Sequence, residues 1–245
     1  MLARSHTAVD DRRRVQSSDP GRAATISVRV PARSLLVEDE WPRSKWRHLE
    51  EKSPLYSEGD PRTHVYRILS GAICLFRMLE DGRRQVIDFA FDGDIVGLGS
   101  GSLETSNAQA LSATKVSCLP IARLMTAAKT NSRIALGLYE ALSKEVVVAH
   151  EHLMCIGHRG ATERVATFIL MLSRRNETRG LAGDVVTLPM ARVDIADFLG
   201  ITIETVSRTL TRLKVQGLID IEQITTLRLK DMSKLIALAE GRVRV

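Results

Sequence analysis

The sequence predicts an α+β chain in three parts: a β jelly roll, a long helix and a helix-turn-helix unit. Three observations predict it. Gly59, Gly71, Gly82 and Gly93 recur 12, 11 and 11 residues apart between short apolar runs. From Leu142 onward, apolar residues recur at alternating steps of four and three. Near the C-terminal end, Gly200-Ile201 separates two short amphipathic segments at 193–199 and 202–216.

The composition permits that reading and excludes others. The 245 residues allow one large domain or two small ones. Hydrophobic residues at 44% and charged residues at 26% are ordinary globular values. They exclude a wholly disordered chain, and no run approaches the ~18 uncharged apolar residues of a membrane-spanning helix. Aromatic residues are only 4%, so the cores rest on Leu, Ile, Val and Ala. The net charge of +6 favours polyanionic partners. Cys74, Cys118 and Cys155 are odd in number and far apart, which suits neither a disulfide framework nor a zinc site. The polar start MLARSHTAVDDRRR lacks the apolar core of a signal peptide, so a reducing cytoplasm is expected.

Residues 1–25 show no sustained period and are expected to form a disordered arm. Its Arg12-Arg13-Arg14 triplet suits a solvated tail or a contact with nucleic acid. From Leu49 to Leu119, the runs VYRIL, AICLFRML, RQVIDFAF and DIVGL sit between Asp-Gly and Ser-Gly turns. Each strand-plus-turn then makes one pass across a double sheet. Beyond Ile121 the pattern turns helical. Leu142, Val146, Ala149, Leu153 and Ile156 make a heptad-like seam that extends back through Leu138, and its length predicts a dimer interface. A second module follows. Residues 161–173 read as a helix that Thr162 caps, RRNETRGLAGD as a polar loop, and VVTLPM as a short strand halted by Pro189. The end reads as a small hairpin and a short helix.

The most informative segment is RVDIADFLGITIETVSRTLTRLKVQGLI, residues 192–219. Ile195, Ala196 and Leu199 share one helical face. Gly200 stands where the backbone must turn sharply, and glycine tolerates positive φ there. Thr202 suits the N-cap of the next helix. Val206, Leu210 and Leu213 form its buried stripe, and the small Ala196 lets the two helices cross closely. In a helix-turn-helix the second helix enters the major groove. Its exposed face carries Glu204, Ser207, Arg208, Thr211 and Arg212. Arginine can donate twice to guanine, and a carboxylate can accept from cytosine N4. Glu204 and Arg208 also form an i,i+4 pair worth about 0.2–0.5 kcal/mol, which is compatible with presenting both to bases.

The sequence IETVSR behind DIADFLG, following a glycine-punctuated β module and a long helix, resembles the Crp/Fnr family of dimeric bacterial transcription regulators. The resemblance spans roughly residues 49–241. It implies an N-terminal β-roll like a cyclic-nucleotide-binding domain over residues 26–130, and a dimerisation helix over 131–157. It further implies a C-terminal winged helix-turn-helix over 158–245. Glu204, Ser207 and Arg208 match the Fnr version of the reading helix, E-x-x-S-R, while Ile203 replaces the first arginine of the cyclic-AMP receptor version. This implies a TTGAT inverted repeat in double-stranded DNA, with Arg208 on guanine, Glu204 on the opposite cytosine and Ser207 near a thymine. Thr202, Thr205 and Arg212 become candidates for phosphate contacts. The implied dimer interface comprises Leu138, Leu142, Val146, Ala149, Leu153 and Ile156. A β-roll hairpin is one surface that contacts RNA polymerase in the family. The stretch LEDGRRQV matches its position, making Arg83 and Arg84 candidates, although the same pair suits a solvated turn tip.

The family's effector sets are incomplete here. An Fnr-type iron–sulfur cluster needs four cysteines. Only Cys118, in VSCLP, matches a ligand position, and the first fifty residues contain no cysteine. The cyclic-nucleotide cassette requires a glutamate and an arginine. Leu98 replaces the glutamate within Gly97-Leu98-Gly99, and no arginine lies between Gly97 and Lys115. His150, His152 and His158 lack partners for haem. The expectation is a FixK-type regulator with no cofactor, no metal site and no membrane contact. A haem-, nitric-oxide- or redox-sensing regulator, with Cys155 as an oxidation switch, is the alternative within the family. An enzyme is not expected, because no nucleophile triad, phosphate loop or HExxH motif appears.

Overall fold

The computed structural model describes residues 44–243. The arm expected at 1–25, with its arginine triplet, lies outside the described residues. Eight strands come first: β1 (Lys45–Leu49), β2 (Pro54–Tyr56), β3 (His64–Ser70), β4 (Ala72–Met78), β5 (Arg84–Phe91), β6 (Ile95–Val96), β7 (Asn107–Ala110) and β8 (Thr114–Pro120). They form two antiparallel four-stranded sheets, ordered β1-β8-β3-β6 and β2-β7-β4-β5. The glycine-spaced runs of the sequence become β3, β4, β5 and β6. At Gly71 the turn admits only glycine. Its φ is +98°, and a Cβ would lie 2.7 Å from the Ala113 carbonyl oxygen. The sheets face each other through Ile68, Val116 and Val96 on one side and Ile73, Ala90 and Ala108 on the other. The small alanines leave room for Tyr56 and Tyr66, whose rings stack at 5.8 Å.

Two helices follow, α1 (Ile121–Thr130) and α2 (Ser132–His158). Between them Asn131 has extended backbone, and its side chain accepts from the Arg133 N–H at 3.0 Å. This cap starts α2, which runs about 40 Å at 1.5 Å per residue. The remaining elements are α3 (Ala161–Thr178), β9 (Val185–Thr187), α4 (Arg192–Leu199), α5 (Ile203–Val215), β10 (Ile219–Gln223), β11 (Thr226–Leu229) and α6 (Met232–Ala239). The three strands pair in the order β10-β11-β9, so the β10–β11 hairpin forms a wing beside the helices. Two details of the α3 region differ from the sequence reading. Thr162 does not cap it: the N-cap is Gly160, whose N–H donates to the Glu163 carboxylate at 3.0 Å. The polar stretch RRNET is also helical rather than loop. Its polar groups are taken up by tertiary contacts, with Arg175 on Asp94 and Asn176 donating to the Val185 carbonyl at 2.8 Å.

The winged unit packs on the roll through one continuous core that includes Cys74, Val86 and Phe89 from the sheets. All five phenylalanines of the chain gather at this junction. Phe89, Phe168 and Phe198 meet in one T-shaped and two tilted pairs with centroids 5.3–6.1 Å apart. His152 of α2 stacks on Phe198 at 4.1 Å and 19°. The long helix α2, the roll, α3 and α4 therefore share one aromatic cluster. Burial pushes the His152 imidazole below its ordinary 6.5, with the Asp88 carboxylate opposing. The folded chain then binds fewer protons here than the unfolded chain. Stability at this position is fully present above about pH 6.5, the unfolded value, and is lost as the pH falls from there through the lower folded-state value. We expect the fall in melting temperature between about pH 7.5 and 5.5 to be shallower in His152→Phe, which keeps the stack without the titration. Thermal melts across that range check this, and parallel slopes for the two proteins would refute it.

Candidate nucleic-acid interface

The turn between α4 and α5 is built from local sequence. Gly200 has φ 62° and ψ 41°, and the Ile201 N–H returns to the Ala196 carbonyl at 3.2 Å. This left-handed cap ends α4 after two turns. Thr202 then caps α5, its hydroxyl accepting from the Thr205 N–H at 3.3 Å. Ala196, Val206, Leu210 and Leu213 are all buried, so the two helices cross through a small residue against an apolar stripe.

The opposite face of α5 is open. Glu204, Ser207, Arg208, Thr211 and Arg212 are exposed there. The Arg208 guanidinium lies 3.4 Å from the Thr205 hydroxyl. The Glu204 carboxyl is held below the usual carboxylate range by a backbone N–H and the Thr202 hydroxyl, with the Arg208 charge adding to this. It is therefore an ionised, acceptor-only group at neutral pH. Of the phosphate candidates, Arg212 is exposed, while Thr202 and Thr205 also serve the helix start.

Arg164 is a residue that sequence reasoning missed. Its guanidinium donates to the carbonyls of Ile156 at 2.6 Å, Arg159 at 2.9 Å and Leu199 at 2.9 Å. One side chain thus ties the end of α2 to the α4–α5 turn. Nothing local marks it, because its partners are main-chain oxygens in other elements.

Two other groups sit differently from the sequence expectation. Arg84 does not project from the hairpin. Its Nη1 lies 2.5 Å from Asp194 and 3.4 Å from Asp197 on α4, and its Nη2 is 3.2 Å from Cys74 Sγ. With its side chain only 23% exposed, it belongs to the junction and is withdrawn as a polymerase contact. Arg83 stays exposed at the hairpin, paired with Asp81 at 2.7 Å. Along α2, Leu142, Val146, Ala149 and Leu153 are exposed as a row, with Ile156 half-buried. Leu138 instead packs with Leu124 and Ile134 against the roll. Tyr139, 68% exposed, takes its place in the open row.

The loop after β6 occupies the position of a nucleotide cassette. There Arg62 donates to the Gly101 carbonyl at 2.9 and 2.7 Å and approaches the Gly97 carbonyl at 3.4 Å. The loop turns its carbonyl oxygens toward this arginine, and Leu98 stands in the glutamate's place, so these residues do not fit the ribose and phosphate of a cyclic nucleotide. Burial pushes the thiols of Cys74, Cys118 and Cys155 up, that of Cys74 to about 12, which makes them poor nucleophiles.

Comparison with known proteins agrees with this architecture. The Crp-like helix-turn-helix domain matches residues 163–238, and the cyclic nucleotide-binding domain matches residues 46–131. The chain is 37% identical over 174 residues to the nitrogen fixation regulation protein FixK of Bradyrhizobium diazoefficiens, covering 71% of this chain and 73% of that protein. It is 33% identical over 216 residues to the transcriptional activator protein anr of Pseudomonas aeruginosa, covering 86% and 88%. The structure of FixK2 from Bradyrhizobium japonicum superposes with a TM-score of 0.75 at 33% identity, covering 80% of this chain and 96% of that one.

Proposed function

The chain belongs to the Crp/Fnr family of transcription regulators, on its FixK-type branch, and from that premise we propose that it binds an inverted repeat of TTGAT half-sites as a homodimer. Bound there, it activates transcription through RNA polymerase in oxygen-limitation, denitrification or nitrogen-fixation control. The observation that carries this reading is the exposed set Glu204, Ser207 and Arg208 on one face of α5, beyond a capped turn. Arg208 donates to the guanine, Glu204 accepts from the opposing cytosine, and Ser207 lies by a thymine. Arg212, with the α5 N-terminus and its Thr202 and Thr205 hydroxyls, positions the helix on phosphates without choosing sequence. Arg83 at the exposed hairpin is the remaining polymerase candidate.

The reading is tested by fluorescence anisotropy with a TTGAT palindrome and a scrambled duplex. Purified protein is expected to prefer the palindrome without added effector, consistent with the Arg62-clamped loop. A large change on adding cyclic AMP, nitric oxide or oxygen would overturn the effector-free reading, and equal affinity for both duplexes would overturn the sequence reading. In the same assay Arg212→Ala should weaken both duplexes alike. It should also flatten the salt dependence by roughly one ion per contact, about two for a dimer.

A further inference from the structure

A cleft of about 470 Å³ opens between the roll and the winged unit, with no residue of α5 in its lining. That volume lies within the ~300–1,000 Å³ of small-molecule sites. One face of α3 supplies Leu172, Arg175 and Arg179 to its wall, the roll supplies Phe91 and Asp92, and Val185 closes the apolar side. Arg175 is the unusual member. Its side chain is 6% exposed. Its guanidinium lies 4.4 Å over the Phe91 ring and contacts the Asp94 carboxylate. Yet its Nε has no hydrogen-bond partner among the described residues. A buried guanidinium N–H without an acceptor has lost its water and gained nothing in return.

We propose that this cleft binds a small monocarboxylate, its carboxylate accepting from Arg175 and its apolar body lying against Leu172 and Val185. The charge count selects the class. Arg175 is matched by Asp94, and Arg179 by Asp92 at 2.9 Å, so the four charges cancel. With both arginines already matched, a di- or triphosphate would bring several uncompensated charges into the cleft, whereas a monocarboxylate brings one, onto a guanidinium that still has an unmet N–H donor. The apolar wall excludes a bare inorganic anion as the best occupant. The site is separate from the Gly97–Gly101 loop, which contributes none of its lining residues. A ligand held there touches both units and would fix α4 and α5 relative to the roll. That regulatory consequence rests on the DNA-binding reading above; the binding itself does not.

Isothermal titration calorimetry on the full chain tests the site, with sodium octanoate as the probe and 1-octanol and sodium phosphate as comparators. Octanoate should bind saturably, one per chain, with octanol and phosphate at least about tenfold weaker. Arg175→Lys, which removes the Nε donor, should weaken octanoate at least about tenfold. Ala182→Trp fills the cleft from its exposed rim without touching either ion pair, and should do the same. If Arg175→Lys fails to fold, Ala182→Trp and the octanol comparison decide alone. No saturable octanoate heat, equal binding of octanol, tighter binding of phosphate, or unchanged affinity in Ala182→Trp overturns the site. Operator affinity with and without octanoate is read separately. No change there overturns the coupling, while failure to bind any operator refutes the DNA-binding reading and leaves the calorimetric result standing.

Discussion

Arg208→Ala is expected to weaken binding to a TTGAT palindrome by ~1–3 kcal/mol per half-site, while binding to scrambled DNA and the melting temperature stay unchanged. Two half-sites compound this to about 2–6 kcal/mol, so the proposed dimer should lose roughly 30-fold to somewhat over 10⁴-fold. The reason is geometric. The guanidinium is exposed on the open face of α5, and its hydrogen bond to the Thr205 hydroxyl, at 3.4 Å, is long and weak. The fold therefore loses little without it, whereas a base edge that expects two donors loses both. Substituting guanine at the matching half-site position should equalise wild type and variant. A neutral effect on the palindrome, or an equal loss on both duplexes, would mean that Arg208 does not read a base. Arg208→Lys separates charge from geometry. It retains the attraction to DNA but not the paired donors, so it should recover non-specific affinity without specificity.

The parts of this site that were legible in the sequence are those set by residues a few positions apart. Gly200 before Thr202 specifies a left-handed cap and an N-cap whatever surrounds them, and the structure has both. The apolar spacing on α5 likewise identified its buried and open faces. The seam on α2 shows where local reading runs out. Alternating steps of three and four, carried back from Leu142, lead to Tyr139, whereas a repeated step of four leads to Leu138. The helix surface admits both, and the roll decides by packing Leu138 into its own cluster. The junction was not legible at all. Arg84 meets Asp194 across 110 residues, and Arg175 meets Asp94 across 81. Such charges look solvated in the sequence, because only the tertiary fold brings their carboxylates near. The same limit explains RRNET, whose polar composition mimics a loop when its partners on β9 and the roll are out of view.

Val146→Glu should have the largest effect of all, converting the proposed dimer to a monomer and lowering operator affinity by about 10²–10⁴-fold. Tyr139, Leu142, Val146, Ala149 and Leu153 follow steps of 3, 4, 3 and 4 and are all exposed in the single chain. Tyr139 and Leu153 are each 68% exposed and Val146 54%. Apolar side chains in a row along about four turns leave much apolar surface in water, at about 25 cal/mol per Å², unless a second copy covers them. In a two-fold pairing Val146 sits near its own counterpart, so glutamate would place two carboxylates together in a desolvated seam. Lys144→Glu is the control, because it changes charge on the same helix away from the row and should leave the dimer intact. Sedimentation velocity reads the assembly, and anisotropy on a full palindrome against a single half-site reads the consequence. Wild type should favour the palindrome strongly, since its second half-site is engaged within one complex about 34 Å from the first. The variant should bind both DNAs alike, at the level of one half-site. A Val146→Glu protein that remains dimeric would place the interface elsewhere. One that becomes monomeric yet keeps its palindrome affinity would show that the two reading helices do not act together.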